Sequence, residues 1–353
     1  MNDPIEASHP TLSALFLDRR ICCVDALRVA DLPAGRVTRL LVDLVHDGMG
    51  RATQLPVIVV KGRREGPIFG VTAALHGNEL NGIPVVHRLV ATTEPDTLRG
   101  ALVVVPVLNV PGLLQHTREF DDGIDLNHVF PGREGGTESH VYAARLVSRV
   151  IQPFDYLADL HTASFGRINT LYVRADLDDP TTAKMALLQR PSIILHNPPM
   201  DHTLRGWMSS RGSPAITVEI GNPHVFQPRQ VKRTLQGLRA MLAQMKMLPR
   251  RPLAPVPAPV LCDRSRWLYA DTGGLLQVLP ELRDMVEEGQ VIARQVDVFG
   301  DLVREYTAPH RGIVIGKSVE PVSATGARIL HLGHVVEDHR FGTLEALLEE
   351  PLP

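Results

Sequence analysis

The sequence predicts an α/β chain, a mixed sheet flanked by helices followed by a smaller all-β domain, on three observations. Short runs that are apolar on both faces recur, as strands covered on both sides by helices require. Amphipathic helical patterns lie between several of them. The composition then shifts, through a Pro-rich stretch, to short segments punctuated by Gly and Pro.

Taken in order, RVTRLLVDLVHD and TQLPVIVVKG, within residues 36–62, read as strands joined by the turn GMGR. Nearly all-apolar runs follow at 67–75, 100–110, 154–161, 169–175, 192–197 and 214–222. NGIPVVHRLVATT and HVYAARLVSRVI (140–151) carry helical patterns, and 230–247 places Val231, Leu235, Leu238, Leu242 and Met245 on one face. Pro249, Pro252, Pro255, Pro257 and Pro259 cannot continue that helix and read as an extended linker. Beyond it the pattern is of short strands, with a helical pattern only in the last dozen residues. The expected organisation is an N-terminal segment (1–54) whose strands join the main sheet, a main domain (55–248), a linker (249–260) and a C-terminal β-rich domain (261–353).

At 353 residues and 44% hydrophobic content, the chain can bury one large core and a second, smaller one. A net charge of −2 and a pI of about 6.7 provide no basic footprint for nucleic acid. The 3 cysteines, Cys22, Cys23 and Cys262, lack CxxC spacing and read as reduced thiols rather than a disulfide framework. MNDPIEASHPTLSALFLDRR puts acids ahead of a short apolar patch, unlike a secretory signal. No run approaches the roughly 18 apolar residues that would span a bilayer. The expectation is a soluble, cytoplasmic protein without membrane or nucleic-acid partners. A homo-oligomer stays open.

The chemistry begins at AALHGNELNG. His76 and Glu79 follow a buried run and enter a Gly-containing turn, where α/β sheets present ligands at the carboxyl ends of their strands. Two further HxxE spacings, His116–Glu119 and His334–Glu337, lie in polar or small-domain surroundings and read as solvated surface. A catalytic zinc needs three protein ligands and an open position. His161, ending the run FDYLADL, can supply the third, with Asp159 two residues earlier orienting it; the alternative is a histidine that caps its strand by hydrogen bonding. Glu219 lies inside the apolar strand PAITVEIGN, where an ionised carboxylate needs a partner or a raised pKa. It reads either as a general base or as one half of a salt bridge with a buried arginine. QMKM, at 244–247, looks like a biotin-carrier motif but ends a helix, so Lys246 reads as a cation at a helix C-terminus.

Taken together, HGNE, TREFDDGIDLNHVFPG, DLHTA and TVEIG resemble the succinylglutamate desuccinylase/aspartoacylase family, with its zinc-carboxypeptidase-like fold, over roughly residues 55–248. The resemblance implies one zinc per chain on His76, Glu79 and His161, with Glu219 as the catalytic acid/base. It also implies that Arg118 polarises the scissile carbonyl and that Asn127 helps to hold a substrate carboxylate. A guanidinium suits a developing oxyanion, and an amide donates to a carboxylate. The sequence departs from the family at His128, where an arginine usually follows the asparagine. One imidazole does not reproduce a bidentate carboxylate clamp, which predicts a less acidic substrate. Arg167 is the candidate to take over anion recognition; its other reading is an exposed loop arginine.

The expected activity is that of a zinc-dependent amidohydrolase removing an acyl group from an N-acyl amino acid or related small metabolite. Two alternatives are a zinc carboxypeptidase acting on peptides and a non-catalytic binding module on the same fold.

Overall fold

The apolar runs FDYLADLH and PAITVEIGN become strands Tyr156–His161 and Ala215–Ile220, buried at every position and hydrogen-bonded to each other in parallel. They lie near the middle of a 14-stranded mixed sheet in the computed structural model, which describes residues 21–199, 202–250 and 256–336. The predicted N-terminal patch at 1–20, residues 251–255 of the linker, Glu337 and the C-terminal helical pattern lie outside the described residues.

In chain order, β1 (Ile21–Val24), β2 (Arg36–His46), β3 (Ala52–Lys61) and β4 (Arg64–Ala73) lead into α1 (Gly82–Ala91) and β5 (Arg99–Val105). Then come α2 (Val110–Gln115), a 3-10 turn at Leu126–His128, α3 (Glu138–Leu146) with its π-turn extension (Val147–Ile151), and β6 (Tyr156–His161). They are followed by β7 (Arg167–Asn169), β8 (Leu171–Ala175), α4 (Pro180–Leu188), β9 (Ile193–His196), α5 (Leu204–Ser210), β10 (Ala215–Ile220) and α6 (Pro228–Gln244). Thereafter the described residues form strands: β11 (Val260–Tyr269), β12 (Gly274–Val278), β13 (Met285–Val286), β14 (Val291–Val296), β15 (Leu302–Thr307), β16 (Gly312–Ser318), β17 (Val322–Ser323) and β18 (Arg328–Val335).

The large sheet runs β1-β2-β3-β5-β4-β6-β10-β8-β9-β11-β18-β16-β13, with β7 paired to β16. Leu and Val side chains of α1, α4 and α6 pack into one core with one side of this sheet. Residues of α3, its π turn and α5 pack into a second core on the other. This is the predicted layered arrangement, and the second, all-β sheet is present as β15-β14-β12-β17.

Two local features differ from the sequence expectation. The run 169–175 is divided at Thr170 between β7 and β8, because β7 leaves β8 to pair with β16. The C-terminal strands also serve both sheets: β11 pairs in parallel with β9, and β18 and β16 continue the large sheet from there. The C-terminal region therefore forms part of the sheet whose middle carries the candidate site.

Strands β4, β6 and β10 are parallel neighbours, so their carboxyl ends open on the same edge. At the end of β4 the chain turns sharply through Ala74, at φ 50°, a conformation that L residues with a Cβ adopt at a cost. Gly77 then passes so close to α2 that an added Cβ would lie 1.9 Å from the Gly112 carbonyl carbon. Asn81 ties the turn to the end of β10: its amide donates to the Ile220 carbonyl at 2.7 Å and its oxygen accepts from the Gln227 N–H at 2.8 Å. These contacts hold the HGNE turn beside the strands that carry His161 and Glu219.

Candidate active site and metal centre

His76 Nδ1 lies 2.9 Å from Glu79 Oε1, and His161 Nδ1 lies 3.0 Å from Glu79 Oε2. The two Nδ1 atoms are 3.2 Å apart. All three residues are buried. The outer ring nitrogens face carboxylates, His76 Nε2 to Asp125 Oδ1 at 3.0 Å and His161 Nε2 to Asp159 Oδ2 at 2.8 Å. A carboxylate only accepts, so each Asp favours the tautomer with its proton on Nε2 and the Nδ1 lone pair turned inward. Two nitrogen lone pairs and a carboxylate then converge at contact distance, an arrangement that repels itself unless a proton or a cation lies among them.

The electrostatics agree. Burial would raise the Glu79 carboxyl, but His76 and His161 overcome it and hold the group far below the ordinary carboxylate range. Burial would lower His161, but Asp159 and Glu79 raise it well above the ordinary imidazole value. The site concentrates negative potential on buried nitrogen and oxygen donors, which fits a divalent cation.

The supporting contacts explain how so polar a cluster is kept inside. Asp159 accepts from Thr72 Oγ1 at 2.6 Å across the β4–β6 pairing, where these two residues are in register. Glu79 also accepts from the Thr162 N–H at 3.0 Å. Asp125 accepts from the Asn127 N–H at 2.9 Å and from Arg118 Nε at 3.0 Å. Although burial opposes it, His76 and Arg118 hold the Asp125 carboxyl well below its ordinary value.

Glu219 is in register with His161 on the adjacent strand. It accepts from Asn169 Nδ2 at 3.3 Å and lies 3.7 Å from Arg174 Nε, so the two readings of this residue meet in one place. Burial raises its carboxyl above the ordinary range, Arg174 opposing and the Glu79 charge adding to the rise. A raised carboxyl poised to exchange a proton beside a cation site suits general acid/base chemistry.

The eight residues singled out in the sequence, His76, Glu79, Arg118, Asn127, His128, His161, Arg167 and Glu219, all line one cavity of about 390 Å³. Arg118 reaches Glu79 Oε1 through Nη1 at 3.0 Å and turns Nη2 to Asp125 at 2.9 Å. Asn127 Oδ1 accepts from the Leu204 N–H at the start of α5, which leaves its NH₂ as the donating group. His128 is exposed over 69% of its side chain, 3.7 Å from Asp125, and so lies at the cavity rim rather than in the core. Arg167 is half-buried, not a solvated loop arginine, with its guanidinium 5.7 Å from the centre of the Trp267 ring.

Sequence reasoning missed several residues of this wall. Arg174, Arg205, Trp267 and Arg328 also line the cavity, and Asp125 holds His76 from behind. Arg174 had a readable signal, since LYVRA places an arginine in an apolar strand as PAITVEIGN places a glutamate. Among the described residues of the other two HxxE spacings, His116, Glu119 and His334 do not join the cluster. His116 is exposed after α2, and His334 Nδ1 contacts Asp263 at 2.8 Å. Lys246 is exposed just beyond α6, as expected of a helix-end cation. The cysteines are free, with Cys262 buried. Among the described residues, no helix is long and apolar enough to cross a membrane.

A mixed sheet that gathers two histidines, a glutamate and a buried acid at the ends of its central parallel strands is an α/β arrangement whose donor set could hold a metal ion. The chain belongs to the succinylglutamate desuccinylase/aspartoacylase family, whose catalytic-domain profile matches residues 65–245. It is 26% identical over 304 residues to N-alpha-acetyl-L-2,4-diaminobutyric acid deacetylase of Halomonas elongata, spanning 81% of this chain and 87% of the relative. To succinylglutamate desuccinylase of Pseudomonas paraeruginosa it is 30% identical over 215 residues, 56% of this chain and 64% of that protein. In fold it is similar to the product-bound ectoine utilization protein EutE (DoeB) of Ruegeria pomeroyi, with a TM-score of 0.77 at 22% identity over 86% of this chain and 98% of the other.

Proposed function

We propose that the chain is a zinc-dependent amidohydrolase that removes the acyl group from an N-acyl amino acid or a related small metabolite. The observation that carries this reading is the placement of Glu219, in register with His161 and directly beside the His76–Glu79–His161 donor set. The named relatives, a deacetylase and a desuccinylase of acylated amino acids, support the substrate class. So does the cavity, whose volume of about 390 Å³ is in the range of small-molecule sites.

His76, Glu79 and His161 would hold the zinc. When bound, it supplies Lewis acidity toward a carbonyl oxygen and lowers the pKa of water. Glu219 takes a proton from the water that attacks the amide carbonyl and returns it to the departing amine. Its burial and the Asn169 contact hold it aimed at that point. The Arg118 guanidinium faces the same space and stabilises the oxyanion that develops there, kept in place by Glu79 and Asp125. The Asn127 NH₂ donates to the substrate carboxylate at the rim. Asp125 and Asp159 act through the histidines, orienting them and fixing which nitrogen carries the proton.

The direct test is release of carboxylic acid from a panel of N-acetyl and N-succinyl amino acids by the zinc-loaded protein. Hydrolysis of at least one class is expected; turnover of C-terminal peptide bonds but of no member of the panel would overturn the reading.

His128 gives a specific expectation within it. Being at the rim, it can be enlarged without disturbing a core. His128→Arg adds a permanent, forked cation beside Asn127. It should raise kcat/KM for dicarboxylic relative to monocarboxylic N-acyl substrates by roughly tenfold to a hundredfold. An unchanged ratio in a folded, zinc-loaded variant would remove His128 from substrate recognition.

A further inference from the structure

Five arginines line the cavity: Arg118, Arg167, Arg174, Arg205 and Arg328. Three have partners that account for them. Arg118 bonds Glu79 and Asp125. Arg174 faces Glu219 and donates to the Tyr172 hydroxyl at 2.8 Å. Arg205, fully buried, donates to the Asn197 carbonyl at 3.0 Å. Arg167 and Arg328 differ, since among the described residues neither guanidinium has a carboxylate or hydrogen-bond partner. Both instead lie over the same ring, Arg167 at 5.7 Å and Arg328 at 5.6 Å from the centre of Trp267.

Such a pair resists its own assembly. The guanidiniums are close enough that, after burial itself, the Arg328 and Arg118 charges help to bring Arg167 down to about 10. Trp267 offsets part of that cost through cation–π attraction. The ring is itself held from moving: His331 stacks against it at 4.9 Å and 9°, and His331 Nε2 contacts Ser265 Oγ at 2.7 Å. Arg167 comes from β7, whereas Trp267 and Arg328 come from β11 and β18 of the C-terminal region. The pair also lines a second, neighbouring cavity of about 600 Å³, so it stands where the catalytic cavity meets the next one. Arg118 and Asn127 belong to the other wall, the segment between α2 and α3.

We propose that Arg167 and Arg328, braced on Trp267, form a specificity-determining anion subsite that binds a second carboxylate of the substrate, remote from the scissile amide. The inference rests on the deacylase reading above and adds the substrate's second charge to it. A carboxylate between two guanidiniums relieves their repulsion and gains charge-assisted hydrogen bonds. The subsite also reverses an expectation drawn from one motif position. His128 alone predicts a less acidic substrate, but the cation absent there is supplied from the C-terminal strands.

The test compares kcat/KM of the zinc-loaded protein within two pairs of substrates, N-succinylalanine against N-butyrylalanine and N-acetylaspartate against N-acetylasparagine. The first pair places the second carboxylate on the acyl group and the second places it on the amino acid. The wild type should favour the dianion in one pair, which locates the charge. Arg328→Gln and Arg167→Gln should each cut that preference by roughly tenfold to a hundredfold. Arg304→Gln, an exposed arginine paired with Asp271, should leave it intact. Calorimetric titration with glutarate and with butyrate gives a readout free of turnover, and the glutarate advantage should disappear in Arg328→Gln. No preference in the wild type, or a preference that survives both substitutions, would overturn the subsite. Were none of the four turned over, the titration alone would decide the subsite, and the wider panel would decide the deacylase reading.

Discussion

Glu219→Gln should bind zinc and substrate and lose about 10²–10⁴-fold in kcat. The substitution keeps the volume of the side chain and an oxygen able to accept from Asn169 Nδ2, so the wall of the cavity stays filled. What it removes is the proton acceptor beside His161. It also removes a buried charge whose raised pKa shows that the fold does not favour its ionised form, so the variant should melt no lower than the wild type. Equal metal content and melting temperature, with kcat/KM falling in step with kcat, would assign the loss to the chemical step. A variant that keeps its turnover would leave Glu219 as the buried partner of Arg174 and no more.

His161→Ala should empty the metal centre. Losing one of three protein donors should weaken zinc by more than the ~10–100-fold that loss of an outer partner costs. The structure adds a complication that the motif conceals. Asp159 is fully buried, with His161 Nε2 and Thr72 Oγ1 as its partners, and truncating the imidazole leaves its carboxylate half-satisfied. The single variant should therefore also lose stability, through an underpaired buried charge. The double variant Asp159→Asn/His161→Ala relieves that charge and should recover much of the melting temperature without recovering zinc. Metal analysis after dialysis and a thermal melt separate the two effects. Full zinc occupancy in either variant would show that His161 caps its strand and is no ligand.

The contrast between these histidine and arginine positions explains what could be read from the chain. His76, Glu79, His161 and Glu219 are polar residues interrupting or ending apolar runs, and burial makes such residues costly enough to be conspicuous. Their strands were legible for the same reason, because β4, β6 and β10 are apolar on both faces. Helix α4 was not, since residues Thr182 to Leu187 are all buried and leave no polar face to mark its period. Helices α2 and α5, at 6 and 7 residues, are too short to show one. Arg205 and Arg328 carry no such signal. Arg167 and Arg328 meet over Trp267 because β7 pairs with β16 and β16 with β18, a property of long-range pairing rather than of local pattern. The same pairing carries Trp267 to the cavity, in a region whose local sequence reads as a separate β domain.

In the proposed function, one cation held by His76, Glu79 and His161 works with Glu219 to hydrolyse an N-acyl amino acid. The most direct test is to strip the protein of metal and titrate zinc back while following acid release from the best substrate of the panel. No turnover is expected in the stripped protein, followed by a rise that saturates at one equivalent of zinc per chain. Turnover that is unchanged by stripping, or that rises with no break at one equivalent, would contradict the proposed function.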